Sequence, residues 1–185
     1  MFIRSERLFL RPAWPEDWEG IYAGIAEEAV VRNLARAPWP YLPEHARQFA
    51  AREQDQRCPN FLVTLPGSGV IGGIGLSRDD HGDIELGYWI ARPHWGRGYA
   101  SEAAHAVLSL ARTLGHPRVV AGHFVDNPAS GRVLSKAGFV RTGRCTPRFS
   151  LGRGCEVDSV GHAIELGAEC DCDGDDDGAM FKRAA

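Results

Sequence analysis

The stretch Trp95-Gly96-Arg97-Gly98-Tyr99-Ala100-Ser101 is the most informative part of this chain. It lies between an apolar run that is typical of a strand and an alanine-rich run that is typical of a helix. Gly96 and Gly98 lack a Cβ, so the backbone can adopt positive φ and turn successive N–H groups towards one anion. A helix directly afterwards adds unpaired amides and the positive end of its dipole. The stretch therefore predicts a phosphate or pyrophosphate site, to which Arg97 adds a cation.

The helix after the glycines is predicted from the spacing of its apolar residues. Between residues 100 and 114 they recur every three or four positions, as one buried helix face requires, and Gly115 and Pro117 end the pattern. The glycine spacing matches neither a Walker loop, which needs Lys followed by Ser or Thr, nor the dinucleotide fingerprint Gly-x-Gly-x-x-Gly. On these residues alone, an ordinary glycine-rich turn between a strand and a helix fits equally well.

Composition indicates one domain followed by an acidic tail. The chain has 185 residues, of which 44% are hydrophobic, which is enough for a single substantial core. Residues 165–185 hold seven acidic and two basic side chains, compared with 24 and 21 in the whole chain. We expect a domain over residues 1–166 and an acidic, disordered tail over residues 167–185.

Several classes of partner and site are disfavoured. The basic residues are scattered, which argues against a nucleic-acid surface. No apolar stretch is long enough to cross a membrane and residues 1–7 are not a secretory signal, so we expect a cytoplasmic protein. The five cysteines include no Cys-x-x-Cys pair, and the calcium-like start at 173–178 lacks its closing carboxylate, because Ala184 occupies that position. We therefore predict plain thiols and no metal.

Strand and helix patterns place the glycine-rich stretch in the middle of the domain. Turn signals join three strands before it into an antiparallel meander. The strand after the helix must run parallel to the last strand of the meander if the crossover is short. The predicted strands are 7–11, 60–65, 70–77, 83–90, 118–124, 139–149 and 157–164, and further helices are predicted at 16–26, 27–34 and 43–54.

A second signal lies in residues 125–139. Asn127 is suited to cap a helix, Pro128 to its first position and Gly138 to its end. The segment Asn127-x-x-Ser130, followed by Gly138-Phe139, and the x-Gly-x-Gly-x-Ala of residues 95–100 resemble the motifs of the GNAT superfamily of acyl-CoA-dependent N-acetyltransferases. The resemblance covers about residues 7–166. The family loop usually begins with Arg or Gln where this chain has Trp95, a departure that is similar to the ribosomal-protein-alanine N-acetyltransferase branch.

The resemblance implies an α+β fold, with a strongly twisted mixed sheet of about seven strands flanked by helices and with splayed central parallel strands. It implies acetyl-CoA as cosubstrate in that gap, with its pantetheine arm along Ile90 and Arg92. It also implies an amine acceptor as partner and a monomer or homodimer. The implied cofactor-binding residues are Ile90, Arg92, Trp95, Gly96, Arg97, Gly98, Tyr99, Ala100, Ser101, Asn127 and Ser130.

Candidate catalytic residues follow from the chemistry of acetyl transfer to an amine. Glu85 is the first candidate base, and the alternative for it is a solvated or arginine-paired strand residue. His123 is the second candidate, or else a structural histidine. Many family members use a Tyr downstream as proton donor, but none follows Tyr99 here, so the resemblance makes Ser130 the candidate that stabilises the CoA thiolate. Asn127 either caps its helix or contacts the cofactor.

The sequence thus predicts direct acetyl transfer to a primary amine, either of a protein N-terminus or of a small molecule. The alternative is an acyl-CoA-binding sensor or interaction module that has lost turnover. An aromatic loop at Trp39 and Tyr41 either lines a substrate pocket or covers the edge of the core. No motif in residues 16–57 specifies the acceptor.

Overall fold

The computed structural model of the chain describes residues 1–79 and 81–167, so the predicted tail beyond Gly167 and its calcium-like sequence lie outside the described residues. Two short 3-10 helices, Pro15–Asp17 and Arg92–His94, accompany the main elements. The helices and strands are β1 (Ile3–Arg4), β2 (Phe9–Arg11), α1 (Trp18–Ile25), α2 (Glu28–Val31), α3 (Pro43–Ala50), β3 (Asn60–Leu65), β4 (Gly69–Arg78), β5 (Ile84–Ile90), α4 (Tyr99–Thr113), β6 (Arg118–Phe124), α5 (Pro128–Lys136), β7 (Val140–Ser150) and β8 (Cys155–Glu165).

The strands of the described residues form one eight-stranded sheet in the order β1-β2-β3-β4-β5-β6-β8-β7. Neighbouring strands are antiparallel except β5 and β6, which run parallel. The predicted mixed α+β fold is confirmed, with eight strands where about seven were expected. The additional strand is β1, whose two residues are too few to give an alternating pattern in the sequence.

The two parallel strands separate almost as soon as they meet. β4 and β5 stay paired from Gly72↔Ile90 to Arg78↔Ile84, whereas β5 and β6 are in register at the single position Glu85↔Val120. The predicted splay is therefore present. From Leu86 to Ile90, the edge of β5 that faces β6 pairs with no strand of the described residues, which leaves room for another extended molecule.

Side chains from alternate strand positions build a core on each face of the sheet. In β3, Phe61 and Val63 pack with α4 on one face, and Leu62 packs with α1 and α3 on the other, as the two-residue period of a strand requires. β5 follows the same rule, because Leu86 and its neighbours face α4, whereas Trp89 faces α1. The gap between β5 and β6 is thus reached from two differently built faces.

Candidate active site

A cleft of about 930 Å³ lies where β5 and β6 separate. One wall comes from α4, α5 and the glycine-rich loop, and the other from α1, α3 and the segment between α2 and β3. Arg92 and Arg97 adjoin the cleft without lining it. The predicted site residues that do line it are Glu85, Ile90, Trp95, Gly96, Gly98, Tyr99, Ala100, Ser101, Asn127 and Ser130. The fold therefore brings the two sequence motifs together at one cleft.

The glycine-rich loop has the backbone shape that an anion site requires. Gly96 has φ of 74° and Gly98 has φ of 83°, values that other residues adopt only with strain. Gly98 caps α4, which begins at Tyr99, one residue before the predicted start, and runs for 15 residues. The first amides of this helix have no partner within it and point, with the positive end of the dipole, at the cleft.

A charged clamp holds this loop against the N-terminal strands. The Glu102 carboxylate in the first turn of α4 accepts hydrogen bonds from the Arg7 amide at 2.7 Å and from the Ser5 hydroxyl at 2.7 Å. The Arg7 guanidinium donates to the same carboxylate and, at 3.1 Å, to the carbonyl of Arg97. Burial raises the pKa of Glu102, but these bonds outweigh it and the pKa is lowered.

Trp95 connects the loop to the end of β5. Its indole Nε1 donates a hydrogen bond of 2.6 Å to the carbonyl of Ile90. A carbonyl oxygen has two lone pairs, so Ile90 keeps one acceptor position. Arg92 lies in the 3-10 helix between Ile90 and Trp95, and its Nη1 is 3.6 Å from Oε2 of Glu27. Cofactor contacts by Ile90 and Arg92 remain predictions.

Tyr88 and Ser130 form a hydroxyl pair inside the cleft. Their oxygens are 2.6 Å apart, and the Tyr88 hydroxyl also lies within 3.4 Å of the carbonyl of Ser130. Burial raises the pKa of Tyr88 to about 12, although the bond to Ser130 opposes the rise. Tyr88 was not predicted as a site residue, because the resemblance implies a donor tyrosine after the second motif. The alternation of β5 was the available signal, since it places Tyr88 on the face covered by α4 and α5.

Asn127 positions Ser130. Its Oδ1 accepts a hydrogen bond from the amide of Ser130 at 3.2 Å, so the predicted helix cap of α5 is confirmed. Pro128 occupies the first helical position. A contact between Asn127 and the cofactor remains a prediction, although Asn127 does line the cleft.

Glu85 lies at the narrow end of the gap in an ion pair. Both terminal nitrogens of Arg148 in β7 contact its carboxylate, with Nη2 at 2.9 Å from Oε2. Arg36 approaches the same oxygen to 3.5 Å. The Glu85 side chain is 12% exposed, and its contacts with the two arginines hold the carboxylate in a fixed orientation. Of the two interpretations of Glu85, the arginine-paired one describes its contacts, and its role as base remains a prediction.

His123 is placed outside the cleft. It is buried against Gly131 of α5, and its ring centroid lies 5.0 Å from that of His162. Burial lowers the pKa of His123, and the neighbouring His162 lowers it further. These contacts correspond to the structural alternative for this histidine.

The two aromatic residues of the loop before α3, Trp39 and Tyr41, have different environments. Tyr41 is buried and lines the cleft, whereas Trp39 is exposed and does not.

Among residues 1–79 and 81–167, no group of three or more His, Cys, Asp or Glu side chains could hold a metal ion. No helix in the same described ranges has the length and apolar character needed to cross a membrane.

With this geometry in hand, the chain can be assigned to a class of protein. Residues 7–140 match the acetyltransferase (GNAT) domain family, and the chain belongs to that family. It is an acyltransferase. It is 32% identical over 149 residues to the Bacillus subtilis (strain 168) protein named uncharacterized N-acetyltransferase YoaA, covering 76% of this chain and 84% of YoaA.

Solved structures agree with the family. A GNAT-family acetyltransferase from Bacillus anthracis has a TM-score of 0.75 and 27% identity, covering 90% of this chain and 99% of that one. RimL, a ribosomal L7/L12 alpha-N-protein acetyltransferase in complex with coenzyme A, has a TM-score of 0.76 at 21% identity, covering 91% of this chain and 100% of that one. The likeness to RimL shows the common fold.

Proposed function

We propose that the chain is an acetyl-CoA-dependent N-acetyltransferase that transfers the acetyl group directly to a primary amine, either of a protein N-terminus or of a small molecule. The observation that carries the proposal is the single register position Glu85↔Val120, beyond which β5 and β6 part beside the glycine-rich loop. Membership of the GNAT family supports it. Trp95 and the motif from Asn127 to Ser130 favour the ribosomal-protein-alanine branch.

The residues of the cleft fit acetyl-CoA. The amides from Gly96 to Ser101 suit the pyrophosphate because they lie at the N-terminus of α4, where Gly96 and Gly98 have positive φ. Arg132 and Lys136 of α5 line the same side of the cleft and add positive charge for the phosphates. The unpaired edge of β5 offers backbone groups to the pantetheine amides.

When bound, acetyl-CoA supplies a thioester whose carbonyl carbon is the electrophile. An acceptor amine is an ammonium ion at neutral pH and must lose a proton before it can attack. Among the described residues that line the cleft, Glu85 alone is a carboxylate. We assign it the task of accepting that proton through a water molecule, with Arg148 fixing its orientation.

Tyr88 and Ser130 supply hydrogen-bond donors for a thiolate leaving group. A phenol whose pKa is about 12 keeps its proton at neutral pH, so the Tyr88 hydroxyl donates and does not act as a base. The 2.6 Å bond between the two oxygens lets Tyr88 donate to Ser130 while Ser130 donates its own proton into the cleft. A thiol has a pKa near 8.5, so a good hydrogen bond is enough help at neutral pH.

One observation favours a second candidate, an acyl-CoA-binding sensor. Both oxygens of Glu85 are contacted by guanidinium groups, which leaves fewer acceptor positions for a water molecule that would deliver the proton. Thermal-shift measurement with acetyl-CoA, followed by an assay of CoA release with amines, N-terminal peptides and aminoglycosides, separates the two. Stabilisation together with amine-dependent release supports the acetyltransferase. Stabilisation without release on any acceptor favours the sensor.

A further inference from the structure

The side of the cleft opposite the proposed cofactor site, here called the acceptor side, has more positive than negative side chains. The cationic side chains that line the cleft are Arg36, Arg52, Arg132, Lys136 and Arg148. Arg132 and Lys136 belong to α5, on the side assigned to the cofactor. On the opposite side, Arg36 precedes α3, Arg52 follows α3 and Arg148 lies in β7. Glu85 is the one carboxylate among the described lining residues. That side of the cleft therefore carries an excess of positive charge.

Glu85, the one carboxylate among the described lining residues, already pairs with two of these arginines. Both oxygens of Glu85 are contacted by Arg148, and Arg36 reaches it at 3.5 Å. A cationic acceptor such as a polyamine would need an acidic partner for each further ammonium group. Among the described residues of the cleft it would meet arginines instead, and this repulsion disfavours it.

Arg36 and Arg52 are placed to receive an anion. The Arg36 side chain is 59% exposed, and its other contact is a 3.3 Å hydrogen bond to the Ser77 hydroxyl. A guanidinium has five N–H donors, so these two contacts leave Arg36, which lines the cleft, with donors for an anion. Arg52 follows α3 and lies close enough to Tyr41 for its charge to oppose the rise in the pKa of Tyr41 that burial causes.

We infer that the acceptor is a primary amine that also carries a carboxylate, and that Arg36 and Arg52 bind this carboxylate. The inference rests on the proposed acetyl transfer. An arginine pairs with a carboxylate through charge-assisted hydrogen bonds. Binding of the anionic group at these side chains would leave the amine of the acceptor in the cleft next to Glu85. The apolar side chains of Ile21, Ile25, Val30 and Phe49 line the same side and suit an apolar portion of such an acceptor.

Matched acceptors test the inference. The probes are phenylalanine with phenylalaninamide, alanine with alaninamide, and spermidine, because the amide of each pair keeps the primary amine and lacks the carboxylate. We expect kcat/KM to be about tenfold higher for the carboxylate member of each pair, which corresponds to about 1.4 kcal/mol. Arg36→Gln and Arg52→Gln should each reduce this ratio, mainly through KM. Arg47→Gln is the control, because Arg47 pairs with Glu44 and stacks on Trp18 without lining the cleft.

Equal or faster acetylation of the amides or of spermidine would overturn the inference and leave the proposed function standing. An unchanged ratio in both Arg36→Gln and Arg52→Gln would overturn it too. If acetyl-CoA binds but no amine is acetylated, the proposed function fails. Calorimetric titration of the same pairs into the CoA-loaded protein then decides the inference, which requires the carboxylate members to bind more tightly.

Discussion

The hydroxyl oxygens of Tyr88 and Ser130 lie 2.6 Å apart across the cleft, although the residues belong to a strand and a helix that are far apart in sequence. Neither hydroxyl alone would be well oriented, because each can rotate about its own C–O bond. Together they form one donor unit, held by the strand on one side and by the capped helix on the other.

We predict that Tyr88→Phe lowers kcat about tenfold, as Ser130→Ala should, because Ser130→Ala removes the donor to the leaving group and Tyr88→Phe removes the hydroxyl that orients this donor. The double variant should lose little more than either single variant, since the two hydroxyls act as a unit. Steady-state kinetics at saturating acetyl-CoA measure these effects. Tyr22→Phe, outside the cleft, is the control. Full kcat in Tyr88→Phe would exclude the donor role.

Glu85→Gln should reduce kcat/KM for the amine and change the acidic limb of its pH profile, because the amide cannot accept the proton of the ammonium group. The loss expected for a general base is about 100-fold or more. Glu44→Gln is a matched substitution in a surface ion pair and should leave the profile unchanged. Unchanged turnover and an unchanged acidic limb in Glu85→Gln would contradict its role as base.

Asn127→Ala should lower the free energy of unfolding by about 1 kcal/mol, the usual cost of losing an N-cap. Asn127→Asp keeps a side-chain acceptor for the Ser130 amide and should keep most of the stability. Urea denaturation measures both variants. If Asn127→Ala unfolds like the wild type but binds acetyl-CoA more weakly, the residue acts through the cofactor and not through the cap.

The contacts of Glu102 with Arg7 and Ser5 make the stability of the fold depend on pH in the acidic range. The pKa of Glu102 is lowered in the folded chain, so its contribution is fully present above the ordinary Glu value of about 4.3 and is lost as the pH falls through the lower folded value. Glu102→Gln should remove this part of the acid dependence and weaken acetyl-CoA binding, because Arg7 then holds the loop less firmly. Denaturant unfolding across the acidic range tests this. An identical acid profile in the variant would contradict the clamp.

Local patterns in the sequence were sufficient for most of the scaffold. Strands β3 and β6 have the bounds that their apolar patterns predict, and the start and cap of α5 lie where Asn127 and Pro128 predict them. The other predicted helices and strands are present with ends displaced by a few residues, because element ends have weak signals. The two glycines of the loop have the positive φ that their positions indicated.

The contacts that organise the site were not predictable in the same way. Arg148 and Glu85 are 63 residues apart, and Arg7 and Glu102 are 95 apart, so no local period connects them. Which of many arginines reaches Glu85 depends on the insertion of β8 between β6 and β7. Such pairings depend on sheet order, which the strand patterns leave open.

The proposed function requires the glycine-rich loop beside the splayed strands to bind acetyl-CoA. Calorimetric titration of acetyl-CoA into the wild type, Gly98→Val and Gly82→Val tests it directly. Gly98 and Gly82 have φ of 83° and 87°, so valine imposes similar backbone strain at both, but only Gly98 lines the cleft. We predict that Gly98→Val binds acetyl-CoA at least about tenfold more weakly, or about 1.4 kcal/mol, and that Gly82→Val binds like the wild type. Equal binding by all three proteins, or no binding by the wild type, would show that the loop does not bind acetyl-CoA.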